Sequence, residues 1–454
     1  MRFDFSRFPF NAGAFSHKPM AFAQPEVGRF FSAILDLAAV ETGPRAARQA
    51  WQGSQLRNLL RHATERSPYW RGRIGAWREA SLDGLPILRR ADVRVQVDGE
   101  GALLGPADRI AVKSHSTSGS SGEPVRFFVS AMNANYNATR SIAQYFIEGR
   151  DLTLNRTLVN YARRPVEGGL SVEREASWLG ARGPFVDCGC DRRLHILRPD
   201  MAQVWAELRR EPIGYLSIAP RALEALLQHA DPGDFARAGA KMLILVAEPL
   251  DPEIRRRFAE IGVPARETYS CEEVGPIAFE CERCVGHFHV ATSNVIVETA
   301  DEEGLAIDGA PVGAVLLTHL HSYATPFIRY DVGDLASLAN RCPCGHDGLT
   351  LSNIRGRTKG LLKHPDGRLH QFLIRAGDLT AITPLEEYRI RQTGAATLVV
   401  EIGGRPSLRP EEAAAIVAMI RTHVGDGFAV DVRGVDKIDW GHSRKRLGFH
   451  NEIL

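Results

Sequence analysis

The run KMLILVAEPL, from Lys241 to Leu250, constrains the fold of this chain more than any other stretch. Its apolar residues are consecutive rather than alternating, so a strand made of them is buried on both faces. Immediately downstream, LDPEIRRRFAEIG carries the punctuation of a helix, with Asp251 as cap, Pro252 at the first helical position and Gly262 as stop. VPARETYS then reads as a second strand. Upstream, LSIAPRALEALLQHA reads as a strand or loop entering a helix, with Pro220 near the first turn and Leu223, Leu226 and Leu227 clustered. Strand, helix, strand at this spacing is a βαβ unit, and it predicts a parallel sheet with covering helices.

The flanks extend this α/β reading. Ala46 to Arg66 forms an amphipathic pattern with Leu56, Leu59, Leu60 and Ala63 on one face, ended by Ser67-Pro68. GAVLLTHL is a further apolar strand. In the last hundred residues ATLVVEI, a helix over Pro410–Val424, and FAVDVRGV make a small α+β unit with its own core. The expected architecture is a large N-terminal domain, residues 1–358, of sheets covered by helices, and a small α+β C-terminal domain, residues 359–454. The change falls near IRGRTKGLLKHPDGR, where Gly, Lys and Arg replace apolar residues. A chain of 454 residues is long enough for two or three domains.

Charge and hydropathy exclude other classes. The 56 basic side chains nearly balance the 54 acidic ones, which argues against a nucleic-acid binder driven by a basic field. No apolar run approaches the roughly 20 residues that span a bilayer. The N-terminal MRFDFSRFPFNAGAF lacks the continuous apolar stretch of a secretory signal. The expectation is a soluble cytoplasmic protein; its oligomeric state is open, a homodimer being one outcome.

Three segments offer chemistry. SHSTSGSSGEPV, from Ser114 to Val125, places Thr117 before five small residues, Ser118, Gly119, Ser120, Ser121 and Gly122. Such a loop can turn several N–H groups and hydroxyls toward the oxygens of a polyphosphate, or it can be a flexible surface loop. No Gly-Lys-Ser/Thr follows, so it is not a Walker A loop. ETYSCEEVGP comes at a strand end, where ligands of open α/β sheets gather. There Glu273 could hold magnesium on phosphate oxygens and Tyr269 could offer a flat face to a base; the alternative is two solvated acids in a turn. In ATPFIRYDVGDLASL, Asp331 and Asp334 flank Gly333. They read either as an ordinary Asp-Gly turn or as a carboxylate for the two hydroxyls of a ribose.

TSGSSGEP, YSCEEVG, YDVGD and IRGR, in this order, resemble the adenylate-forming (acyl-CoA synthetase-like) superfamily, and within it the phenylacetate-CoA ligase-like branch. LLRHATERSPYWRGRI, LPILRRADV and VAEPLDPEIRRRF add to the resemblance, which spans nearly the whole chain. It implies a two-step enzyme: ATP and a small carboxylic acid, in which an aryl acid is weakly favoured, give an acyl-adenylate and pyrophosphate. An acceptor, often the thiol of coenzyme A, then displaces AMP. An amide-forming or nucleotidyl-transferring ligase that does not use coenzyme A is the alternative outcome. The resemblance implies that Thr117 and Ser118 to Gly122 cradle the β- and γ-phosphates, that Ala247, Glu248, Pro249 and Tyr269 line the adenine, that Glu273 binds magnesium and that Asp334 holds the ribose. Arg357 matches an arginine that reaches the nucleotide, Lys359 the hinge on which the small domain swings, and Lys445, in IDWGHSRKRLGF, the catalytic lysine. The sequence departs from the family at Cys271-Glu272, at Val125-Arg126 where a lysine would close the phosphate loop, at Asp331 where many relatives carry Arg, and at Arg444.

Six of seven cysteines fall in close pairs. Cys281/Cys284 and Cys342/Cys344 together supply four thiolates, enough for a closed, structural, tetrahedral zinc site. His287 and His289 are near enough to replace Cys284, and relatives often carry a histidine at the position of His289. Cys188/Cys190 reads as a pair of free thiols.

Overall fold

The computed structural model describes residues 25–77, 81–98, 112–116, 125–161, 167–180, 188–196, 200–246, 250–300, 306–307, 309–356, 360–372, 374, 376–385, 387–440 and 448–454. In chain order, the elements that matter for the site begin with α1 (Pro25–Thr42), α2 (Arg45–Arg66), β1 (Val112–Ser116), β2 (Arg126–Ser130) and α3 (Ala131–Ile147). Next come β3 (Arg156–Tyr161), β4 (Leu170–Glu175), β5 (Asp191–Ile196), α4 (Met201–Leu208), β6 (Gly214–Ile218), α5 (Pro220–Leu226), β7 (Ala240–Val246), α6 (Pro252–Glu260) and β8 (Ala265–Cys271). They are followed by β9 (Gly275–Glu280), β10 (His287–Val290), β11 (Val295–Ala300), β12 (Gly313–His319), β13 (Tyr330–Ala339) and β14 (Thr350–Arg355). The last are β15 (Glu387–Gly394), β16 (Thr397–Gly403), α7 (Pro410–Val424), β17 (Ala429–Val435) and β18 (Phe449–Asn451).

Two compact units emerge. The first comprises residues 1–59, 131–296 and 340–350, the second residues 60–130, 297–339 and 351–454. In the first, strands lie side by side in the order β10-β9-β8-β7-β6-β3-β5-β4. The five central strands, β5, β3, β6, β7 and β8, are parallel, and antiparallel β4, β9 and β10 flank them. The apolar run thus forms β7, between two parallel neighbours, as its lack of alternation requires. Leu243 and Leu245 of β7 and Leu216 and Ile218 of β6 pack with Leu208, Leu223, Leu226 and Phe258 of the crossover helices. The helix signals read correctly: Asp251 Oδ1 accepts from Glu253 N at 2.7 Å, Pro252 opens α6, and Pro220 opens α5. α3 lies over β9, with the Arg140 guanidinium 5.0 Å from the Phe279 ring.

In the second unit, β11 to β14 lie side by side, the order being β11-β12-β13-β14. A further sheet, β17-β16-β15-β18, carries α7. Ile416, Ile420 and Val424 of α7 meet Ile390, Leu398, Val400 and Ile402 in a core of their own. The small α+β unit therefore has the strand, helix, strand elements read from the sequence, with β15 and β18 added to the sheet. Ser67 does more than stop α2: its hydroxyl accepts from Trp70 N and caps the short helix Pro68–Ile74. Among the described residues no helix is long and apolar enough to cross a membrane.

Gly214 opens β6 at φ +67°, and a Cβ there would lie 2.0 Å from Asn155 O, whereas Gly262, at φ +77°, has open space around it. Both prefer glycine for its left-handed backbone, but only Gly214 has a backbone pressed against it. Gly214→Ala is expected to lose at least about 1 kcal/mol more than Gly262→Ala in urea unfolding; equal losses would show that the close approach to Asn155 carries no cost.

Candidate active site and metal centre

In the first unit, Tyr269 lies near the carboxyl end of β8 and Glu273 just beyond it. Tyr269 pairs with Ala278 of β9, and the register slips between Tyr269 and Ser270 before Cys271 meets Gly275. Glu273 sits in the turn between the two strands and is only 8% exposed. Asn294, fully buried, holds that turn through Nδ2, which donates to Pro276 O at 2.7 Å and to Val274 O at 3.4 Å. Farther back along the strand, Glu267 of β8 and Glu280 of β9 share Arg255 of α6. Arg255 binds Glu267 directly and reaches Glu280 at 3.0 Å, while Glu267 N donates to Glu280 Oε2 at 2.9 Å. Burial raises the Glu267 carboxyl, Glu280 adds repulsion, and Arg255 opposes both. Sequence reading missed this triad; the alternation of charged residues in RET and FEC was its only trace.

The second unit holds Asp334. The DVGD segment is not the turn that Asp-Gly suggested: it lies inside β13. Leu316 pairs with Asp331 and Ala314 with Leu335, so Val332, Gly333 and Asp334 oppose a single residue. The extra residues make a bulge, a device that re-aims side chains. Asp331 Oδ1 braces it by accepting from Gly333 N at 2.8 Å. Just before, Arg329 is held at φ +48°, an unusual backbone for a residue with a side chain. Its guanidinium binds Glu298 at 3.1 Å and Leu85 O, and its own N–H donates to Thr318 Oγ1 at 3.0 Å. The hairpin β1–β2 docks on the same segment: Phe128 N donates to Thr325 Oγ1 at 2.9 Å, and the Phe127 and Phe327 rings meet edge to face at 5.7 Å. Ser116 and Arg126, which bracket the Ser/Gly segment, are register partners. Thr117, Ser118, Gly119, Ser120, Ser121, Gly122, Ala247, Glu248, Pro249, Arg357, Lys359 and Lys445 lie outside the described residues.

The cysteines give a defined cluster in the first unit. The ligand atoms of Cys281, His289, Cys342 and Cys344 all lie within 4.8 Å of one another. Metal–ligand distances of about 2.0–2.3 Å imply tetrahedral edges of roughly 3.3–3.8 Å, close to this arrangement, and Cys344 Sγ is 3.5 Å from His289 Nε2. Cys284 is not a member of the group, and the fourth donor is His289. The turn has used the backbone of Cys284 instead: its carbonyl accepts from His287 N at 3.1 Å, and its N–H, with that of Arg283, supports the Cys281 sulfur. In the CPCG turn, Gly345 N donates to Cys342 O at 2.9 Å and His346 N to Cys344 Sγ at 3.3 Å. The hairpin register explains the histidine. Phe288 and Val290 of β10 are buried, so His289, between them, faces the opposite side of the strand.

The pKa shifts at His289 and Cys344 suit metal ligands, whereas burial opposes the thiolate at Cys281 and Cys342. Burial, with His346, Arg283 and His287 nearby, lowers the His289 pKa to about 4, leaving it neutral as a ligand must be. The Cys342 thiol is pushed up to about 12, first by burial. At Cys344, burial is outweighed by the His346 amide and the Cys342 and Cys281 thiols, so its pKa falls. His346 stacks on His289 at 4.1 Å, and Arg48 of α2 holds the adjoining Asp347 carbonyl. None of the seven cysteines is in a disulfide; Cys190 is buried with Sγ 3.6 Å from Glu211 Oε2, and Cys188 is half-buried.

No family model matches the chain. Phenylacetate-coenzyme A ligase of Thermus thermophilus is 25% identical over 358 residues, covering 71% of this chain and 73% of that protein. The protein of the same name from Escherichia coli is 24% identical over 318 residues, covering 66% and 70%. A crystal structure of 2-hydroxyisobutyryl-CoA ligase in the postadenylation state is similar in fold, with a TM-score of 0.62 and 18% identity over 91% of this chain and 92% of that one. The same enzyme with an acyl-adenylate and CoA in the thioesterification state gives a TM-score of 0.56. The fold is like that of 2-hydroxyisobutyryl-CoA ligase. Over about seven tenths of its length the chain is similar to phenylacetate-coenzyme A ligases.

The cluster leads to a direct expectation. Metal analysis after zinc loading should find one zinc per chain, lost in Cys342→Ser and His289→Ala and retained in Cys284→Ser. Loss of zinc in Cys284→Ser with retention in His289→Ala would reverse the ligand assignment.

Proposed function

We propose that this chain activates a carboxylic acid with ATP and transfers the acyl group to the thiol of coenzyme A. In the first step a carboxylate oxygen bonds to the α-phosphorus and pyrophosphate leaves. In the second the thiolate sulfur bonds to the acyl carbon and AMP leaves. One observation carries the reading: Tyr269 and Glu273 stand at the carboxyl end of β8, a parallel strand of the central sheet, where such sheets bind ligands. The four ordered motifs and the likeness to CoA ligases support it.

In this reading Thr117 and Ser118 to Gly122 hold the β- and γ-phosphates, and Ala247, Glu248, Pro249 and Tyr269 line the adenine. Glu273 binds magnesium, which supplies charge neutralisation on the phosphate oxygens. Asp334, re-aimed by its bulge, holds the ribose, and Arg357 reaches the nucleotide. Residues 359–454 act as a cap that swings at Lys359 and brings Lys445 to the reacting phosphate. A cation is needed there because an anionic carboxylate attacks an anionic centre. The core formed by α7 and its sheet supports treating this segment as a separate domain. Zinc at Cys281, His289, Cys342 and Cys344 is structural: four protein ligands leave no open position. The ATP and CoA requirements suit a cytoplasmic enzyme.

A panel of carboxylic acids read by pyrophosphate release, with and without CoA and with amines, tests the assignment. Release that depends on acid, and an acyl-CoA product, are expected. Acid-dependent release with an amide or nucleotidyl product would replace CoA as acceptor. Lys445→Ala should lower acid-dependent release by about 10²–10³ while ATP binding persists; an unchanged rate removes Lys445 from the chemistry.

A further inference from the structure

The turn that carries Glu273 is flanked on its α3 side by an amide with an unused acceptor. Asn137 Nδ2 donates to Asn133 Oδ1 at 3.0 Å, and Asn133 is itself only 4% exposed. The other half of the amide, Asn137 Oδ1, is buried and has no partner among the described residues. A Cβ placed on Gly275 would lie 3.4 Å from Asn137 Nδ2 and 3.6 Å from Oδ1, so the amide lies directly against the backbone two residues beyond Glu273. Tyr136 OH, the neighbouring side chain, donates to Ser293 O at 2.7 Å and fixes α3 beside the segment whose Asn294 grips the turn from the other side. An acceptor fixed in this way and shielded from water is costly unless a donor arrives.

We propose that Asn137 is a specificity-determining residue and that its Oδ1 accepts a hydrogen bond from the carboxylic acid substrate. The preferred acid therefore carries a hydroxyl or amino donor rather than an unsubstituted hydrocarbon or aryl skeleton. This rests on the ligase reading above and adds a substrate class to it. The amide's other half is committed to Asn133, so its orientation favours a donor and not an acceptor on the ligand. Closeness to Gly275 puts the contact next to the Glu273 turn rather than in the remote core.

The test uses aliphatic and aryl acids, each as hydroxy, methoxy and unsubstituted forms, with the full-length chain. In wild type, kcat/KM for pyrophosphate release should favour the hydroxy form over both others by about tenfold or more. Asn137→Leu should erase that preference by bringing the hydroxy acid down to the level of the unsubstituted one. The same ratios in wild type and Asn137→Leu, or a wild-type preference for the methoxy or unsubstituted form, overturn the proposal. Calorimetric binding of the same acids runs alongside. Hydroxy-acid binding that requires Asn137, without pyrophosphate release, would retain the donor site and defeat the ligase reading. Release without any hydroxy preference would do the opposite.

Discussion

Two carboxylates and one guanidinium taken out of water together hold the carboxyl end of β8 in register. Glu267, Glu280 and Arg255 come from β8, β9 and α6, three elements that meet only because β8 pairs in parallel on one side and antiparallel on the other. The cost of desolvating the charges is met only when all are present, since either carboxylate alone with its neighbour would be buried repulsion. The triad therefore acts as a register lock. With it in place, β8 emerges from the sheet at a fixed height, and Tyr269 and the Glu273 turn follow from that height.

The second unit solves a similar positioning problem with backbone strain. Asp334 does not lie on a free loop; it stands on a strand whose bulge is braced by Asp331 and whose entry residue, Arg329, is forced into a left-handed conformation. Such a conformation persists only where its surroundings over-determine it. Glu298, Leu85 and Thr318 do so here, each binding a different part of Arg329. Strain this close to Asp334 helps to fix the direction of that side chain.

Much of this was readable in the sequence, and the reason differs by element. The βαβ unit was legible because Asp251, Pro252 and Gly262 mark a helix locally and the apolar run allows only a doubly covered strand. The C-terminal helix was legible for the same reason, Pro410 opening it and Gly425 following it. The DVGD bulge was not, because a glycine flanked by aspartates looks the same in a turn and in a bulge; only the partner strand decides. Nor was the choice of His289 over Cys284, although the alternation of Phe288 and Val290 carried a hint. A CxxC spacing says which sulfurs are close along the chain, and not which of them the turn spends its backbone on. The Arg255 triad was invisible because three residues far apart in sequence have no local signature.

The cysteine turns show what a bound cation would add to this fold. CERCVG and CPCGHD contain few apolar side chains, and Val285 is 57% exposed, so burial cannot hold either turn in shape. What they do have is N–H groups gathered on sulfur, an arrangement that is worth most when the sulfur is a thiolate bound to a cation. Glu280 carries that order onward. One of its oxygens accepts from Gly286 N in the first turn at 3.0 Å, and the other accepts from Glu267 N in β8. A cation that fixes Cys281 thus fixes the residue beside it, and through that residue the strand that presents Tyr269. The cysteine cluster and the strand that carries Tyr269 are then coupled features of one unit, joined through the two oxygens of Glu280.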